Sequence, residues 1–218
     1  MRLISLVHLQ PEVDAARVVE FESFVAGLPN EVAAVRRAHL GRQLSGQVNA
    51  GHYTWDTLID GEDVGAVLEA PSLLALLDGG DVIERLDSVA FESEKPGIAE
   101  PGIANCLKRT LLVRTLPETP AEVVTEFERD ILGMPDRIEG IRNWAFSRVD
   151  HSLLPSRWTH VWEQEYLDQS GFDTSYMMHP YHWGVVDAWF DPECPQRIID
   201  LHFAHALCHA DATILGWQ

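Results

Sequence analysis

The residues best suited to chemistry lie in one stretch, Ser175 to Phe190, which reads SYMMHPYHWGVVDAWF and holds Tyr176, His179 and His182. An imidazole with a free pKa of about 6.5 can take or return a proton near neutrality. A phenol, with a pKa of about 10, keeps its proton and can donate a hydrogen bond to a developing oxyanion. Pro180 disfavours helical geometry at His179, so one helical segment is expected to end there and another to begin, with His179 near its N-cap. His182 then falls just inside the new helix. The unsatisfied N–H groups there disfavour an imidazolium and favour the neutral form that a general base needs. The expected pair is His182 as base and Tyr176 as hydrogen-bond donor, with His179 either a boundary residue or a substrate contact.

A second candidate segment is RWTHVWEQ, where strand alternation puts Trp158, His160 and Trp162 on one face. A histidine between two tryptophans suits a flat aromatic or phenolic ligand; an ordinary apolar sheet face with one histidine has the same pattern. His202, His205 and His209 invite a metal reading. On a strand only His205 and His209 share a face, and at about 3.3 Å per residue they stand roughly 13 Å apart, too far for one ion. Cys106, Cys194 and Cys208 have no zinc or redox spacing, and an odd count argues against a disulfide framework. No metal is expected.

The elements that position these residues fall into two halves. The segment ESEKPGIAEPGIAN is rich in Pro, Gly and charge and implies a linker over residues 94–104, between units at 1–93 and 105–218. The first unit opens with the strand RLISLVHL and a Pro-initiated helix, PEVDAARVVEFESFVAGL. The second opens with CLKRTLLVRTL and a helix with Thr119 as N-cap and Pro120 in first position, and closes with the strand RIIDLHFAHALCH. Both halves follow the order strand–helix–strand–strand–helix–strand, offset by about 105 residues, with Tyr53-Thr54-Trp55 opposite Trp158-Thr159-His160. This is the order of a ferredoxin-like unit, which leaves one sheet face bare. The expected fold is α+β: two such units in tandem with their sheets face to face, as in a dimeric α/β-barrel.

Thirty-four acidic residues against 16 basic ones give a net charge of −18, which repels phosphate backbones and argues against nucleic acid and anionic membranes as partners. No apolar run reaches the roughly 20 residues of a membrane span, and the N-terminal apolar stretch is too short for a secretory signal. A cytoplasmic protein is expected.

The second half, through LKRTLLVR, RWTHVWEQEY and above all YMMHPYH, resembles the stress-responsive dimeric α/β-barrel family over about residues 105–210. The first half keeps the element order but has LEAPSLLALL where the motif would stand, like a degenerate copy. Family members are usually homodimers of single units; here one chain would supply both, and a homodimer of the whole chain stays open. The resemblance implies aldol-type ring closure without metal or organic cofactor. Tyr176 and His182 would be the acid–base pair, and His160 would be a pocket residue. Arg109 stands where the family's best understood enzyme has a histidine. A guanidinium cannot act as a base at neutral pH, but it can hold a carboxylate, phenolate or enolate. The expected activity is a cofactor-independent lyase of aldol or retro-aldol type, releasing in the retro direction a small aldehyde such as formaldehyde. His160, Arg109, Trp158, Trp162 and His179 would hold a small aromatic or phenolic substrate. Two alternatives remain: a stress-associated binding protein for an aromatic ligand, and a haem or metal oxidoreductase, since related tandem barrels bind haem through a histidine.

Overall fold

The computed structural model describes residues 1–61, 64–78, 81–93, 95–150 and 157–217. The first unit comprises β1 (Arg2–Leu9), α1 (Ala15–Glu31), β2 (Val35–Arg42), β3 (Tyr53–Ile59), α2 (Val64–Leu68), α3 (Pro71–Asp78) and β4 (Ile83–Phe91). Its antiparallel sheet has the order β2-β3-β1-β4. After β5 (Lys95–Ile98), the second unit comprises β6 (Ala104–Val113), α4 (Ala121–Leu132), β7 (Asn143–Arg148), β8 (His160–Tyr166) and β9 (Ala204–Ala212). Its sheet repeats the same order as β7-β8-β6-β9, with β5 added beside β7. Part of the stretch expected to be a linker is thus an edge strand. Between β8 and β9 run two π-helical segments, Gly171–Tyr176 and His182–Val186, and a short 3₁₀ turn, Asp187–Trp189.

Three boundaries differ from expectation, each for a local reason. Helix α1 begins at Ala15, not at Pro11, because the Asp14 carboxylate accepts the Ala16 N–H and makes a better cap than the proline start. Helix α4 begins one residue late: Pro120 is extended, with ψ 141°, and the Thr119 hydroxyl donates to the Leu116 carbonyl instead of capping. The last strand starts at Ala204 because the His202 N–H donates to Asp200 Oδ1, a side-chain turn that competes with strand pairing.

The two sheets pack face to face. Ile4, Leu6, Val89 and Phe91 of the first meet Leu112, Val161, Ala204 and Ala206 of the second in one buried cluster. Beside it lies a fully buried ion cluster. Arg2 Nη2 reaches Asp56 Oδ1 at 2.7 Å and Glu163 Oε1 at 3.0 Å, while Lys108 Nζ lies 2.9 Å from Asp56 and 3.0 Å from Glu163. Backbone bridges Gln43–Cys208 and Val48–His205 join the units at one seam, and the Asp150 N–H donates to the Ala90 carbonyl at the other. Among the described residues no helix is long and apolar enough to cross a membrane.

Candidate active site

Alternation decides which side chains of the second sheet meet its helical layer. On β6, Leu107, Arg109, Leu111 and Val113 point that way, and on β8 so do His160, Trp162, Gln164 and Tyr166. Of these, Leu107, Leu111, Val113, Trp162 and Tyr166 join one core with Phe127 and Ile131 of α4 and Phe172, Tyr176 and Val186 of the π-helical segments. A cavity of about 210 Å³ lies within this layer, lined among others by Arg109, Trp162, Tyr176, His182, Asp187 and His205. The cavity therefore sits between the second sheet and its helical layer, and not between the two sheets. Small and aliphatic side chains, Phe91, Trp158 and the ion cluster fill the space between the sheets.

The segment carrying Tyr176 and His182 is fixed at several points. The Tyr181 hydroxyl donates to the Asp130 carbonyl and the Trp189 indole N–H to Asp130 Oδ2, tying it to α4. Gly140 lets its start come close: a Cβ there would meet the Gly171 carbonyl at 2.6 Å and Ser175 Cβ at 2.7 Å. His179 Nδ1 accepts the Tyr181 N–H at 3.1 Å, so the imidazole caps the new helical segment, and His179 does not line the cavity. Tyr176 ends the first π-helical segment and His182 opens the second. Their rings lie 4.3 Å apart, centroid to centroid.

Arg109 faces this pair. Its guanidinium lies 5.0 Å from the Tyr176 ring centroid, donates from Nε to His205 Nε2 at 2.7 Å and from Nη1 to Gln164 Oε1 at 2.7 Å. These partners are neutral, and among the described residues no carboxylate pairs with it. His205 in turn has Nδ1 3.0 Å from Gln47 Oε1, so a loop of the first unit supports the arginine through the histidine. Burial, Arg109 and His182 push the His205 imidazole down to about 3. Burial, Arg109 and His179 lower His182 to about 4, which keeps it neutral at physiological pH. Burial raises the Tyr176 phenol against the pull of Arg109, so it keeps its proton and can donate. The indole N–H of Trp162 and the amide nitrogen of Gln164 are buried without partners.

The other expected site residues lie elsewhere. Trp158 precedes β8, so the alternation assumed from the sequence does not extend to it. It is buried between the sheets, donates from Nε1 to Asp87 at 2.9 Å and stacks on His202 at 5.7 Å. His160 faces the helical layer but stacks on Phe146 at 5.4 Å, with Nε2 3.3 Å from Glu128 Oε1, and does not line the cavity. His205 and Asp187 line it without having been picked out; His205 was considered only as a metal ligand. Among the described residues no three of His, Cys, Asp and Glu converge as a metal-ligand set. Among the described residues, this cavity does not fit a haem. The cavity of about 210 Å³ falls below the roughly 300–1,000 Å³ of drug-sized pockets, and both His205 nitrogens are engaged.

Residues 107–200 match the family model of the stress responsive A/B barrel domain. Among solved structures, an anthrone oxidase-like protein superposes with a TM-score of 0.65 at 10% identity, covering 95% of this chain and 89% of that one. A provisionally assigned monooxygenase of Fusobacterium nucleatum gives 0.58 at 11% identity, over 97% and 94%. A mutant chlorite dismutase from Candidatus Nitrospira defluvii, in complex with cyanide, gives 0.57 at 8% identity, over 99% and 91%. At such identities the shared property is the fold. No curated protein matches the sequence.

Proposed function

We propose that the chain is a cofactor-independent lyase of aldol or retro-aldol type, acting on a small aromatic or phenolic molecule that carries an anionic oxygen. One observation carries this reading: a neutral imidazole and a protonated phenol meet at 4.3 Å in a cavity faced by a guanidinium that has only neutral partners. A buried cation whose hydrogen-bond partners are all neutral is costly, and Asp187, the carboxylate in the same cavity, feels its charge without pairing with it; a substrate carboxylate or phenolate would supply a direct ion pair. His182 takes the proton, and Tyr176 donates a hydrogen bond to the oxygen on which charge develops. In the retro direction the base removes the proton of a hydroxyl β to the ring-conjugated carbon. The C–C bond breaks, the carbinol carbon leaves as an aldehyde, and the electron pair passes through the conjugated system onto the oxygen that Tyr176 faces; the ring-conjugated carbon then takes the proton back from His182. The forward aldol step reverses each movement. Because the corresponding space in the first unit is packed by Phe21, Phe24, Leu28, Trp55, Val67 and Leu73, one site per chain is expected.

The test is a panel of phenolic aldehydes, β-hydroxy phenylpropanoids and polyketide acids, assayed for aldehyde and for O2 uptake, with calorimetry for stoichiometry. Turnover without O2, at one ligand per chain, is the expected result. Turnover that consumes O2 would replace the lyase reading with oxygenation, and binding without turnover would leave a ligand-binding protein. Arg109→Gln should raise KM about tenfold or more, the scale of one lost charge-assisted hydrogen bond, with a smaller change in kcat. An unchanged KM would mean that the anionic group binds elsewhere.

A further inference from the structure

We propose that Asp187 is the positioning residue of the acid–base pair, holding the proton of neutral His182 on Nε2 and passing that proton to solvent when the imidazole is protonated. This rests on the reading of His182 as the base and adds a residue to it. His182 Nε2 lies 3.7 Å from Asp187 Oδ1, whereas Nδ1 is buried without a hydrogen-bond partner. A neutral imidazole has one N–H. Placed on Nδ1, it would be a buried donor with no acceptor, which is rarer and costlier than an unused lone pair. Placed on Nε2, it faces a carboxylate. The lone pair then belongs to Nδ1.

The backbone brings these two side chains together by a specific device. In an α-helix a residue five positions on is turned about 140° away around the axis. Here the Asp187 N–H donates to the His182 carbonyl, the i to i+5 bond of a π-turn, which returns Asp187 to the side of His182. The pair also spans the boundary with water, since the His182 side chain is 9% exposed and that of Asp187 50%. When a proton arrives at Nδ1, the Nε2 proton can leave to Asp187, once the 3.7 Å contact closes to hydrogen-bond distance, and then to water. One proton enters, one leaves, and no electrons move.

The surroundings leave this task to Asp187. Arg109 from β6 and His179 from the same segment both disfavour an imidazolium at His182. His205 from β9 is itself neutral, and the cavity-lining Ile131 of α4 and Met134 just after it do not ionise. Burial raises the Asp187 carboxyl, with Arg109 opposing and Asp191 adding to the rise, which brings it closer to a group able to accept a proton transiently.

The decisive measurement is the tautomer of His182, read from ring-nitrogen shifts of ¹⁵N-histidine-labelled protein at neutral pH and assigned by loss of the signal in His182→Ala. The wild type should show the proton on Nε2. Asp187→Ala should lose that preference and Asp187→Glu should recover it. With a turned-over substrate, Asp187→Ala should lower kcat about tenfold with KM within about threefold, and move the acid limb of the pH profile downward, because a neighbouring negative charge is gone. A proton on Nδ1 in the wild type, or unchanged shifts in Asp187→Ala, overturns the proposal. The tautomer is read without any substrate, so its outcome is separate from whether His182→Ala loses activity.

Discussion

Replacing His182 with alanine should lower turnover by a factor of about 100 or more while the protein stays folded. The imidazole lines the cavity beside Tyr176 and makes no hydrogen bond to the rest of the core through its buried Nδ1, so its removal takes away a proton acceptor more than a structural contact. His179→Ala should behave in the opposite way. Its Nδ1 caps the Tyr181 N–H, so its loss should cost about 1 kcal/mol of stability and little chemistry. Tyr176→Phe keeps the ring and removes the hydroxyl, and should slow kcat with little change in KM if the hydroxyl acts mainly in the transition state. The pH profile follows from the same site. A base with its pKa lowered to about 4 is neutral, and so competent, above that value, and activity should fall only as pH drops through it. If His179→Ala abolishes activity in a folded protein while His182→Ala keeps it, base and cap are exchanged.

The order of elements was legible because strands and helices announce themselves by local period and by turn residues, and the pairing of Tyr176 with His182 was legible because both lie in one short motif. Which sheet face would hold the cavity was not. Every residue of β8 is buried, so neither face is marked by polarity, and alternation alone separates two faces without saying which one meets the helices. Trp158 was placed with His160 and Trp162 because the strand was started too early. His205 reaches the site through strand pairing, opposite Leu111 on β6, a register set by tertiary structure and absent from local sequence. Asp187 lay inside the motif but at a spacing of five from His182, which only the π-turn makes adjacent. The capping role of His179 was visible, because a proline fixes the backbone on both of its sides.

The second large effect concerns what holds the two units together. Lys108→Met should destabilise the protein by about 3–5 kcal/mol, the usual result of removing one member of a buried ion cluster and leaving the others uncompensated. Lys108 Nζ contacts both Asp56 oxygens at 2.9 and 3.0 Å, Glu163 Oε1 at 3.0 Å and the Thr110 hydroxyl at 2.8 Å, with all these side chains buried. Without it, Arg2 alone faces two carboxylates. Arg2 and Asp56 belong to the first sheet and Lys108 and Glu163 to the second, so the cluster fixes how one sheet sits on the other. Burial pushes the Asp56 carboxyl up, but Lys108 and Arg2 together outweigh it and hold it below its ordinary value. A depressed folded-state pKa contributes stability that is fully present above the unfolded value of about 3.9 and is lost as pH falls through the folded one. With Lys108 removed, burial is less opposed and the Asp56 pKa rises, so acid unfolding should begin at higher pH than in the wild type. Urea denaturation at pH 7 and at pH 5 measures both effects. Adding Glu163→Gln to Lys108→Met should recover part of the loss, because one arginine then faces one carboxylate. A Lys108→Met variant that loses less than about 1 kcal/mol would show that the apolar cluster of Ile4, Phe91, Leu112 and Val161 holds the sheets together without the ions.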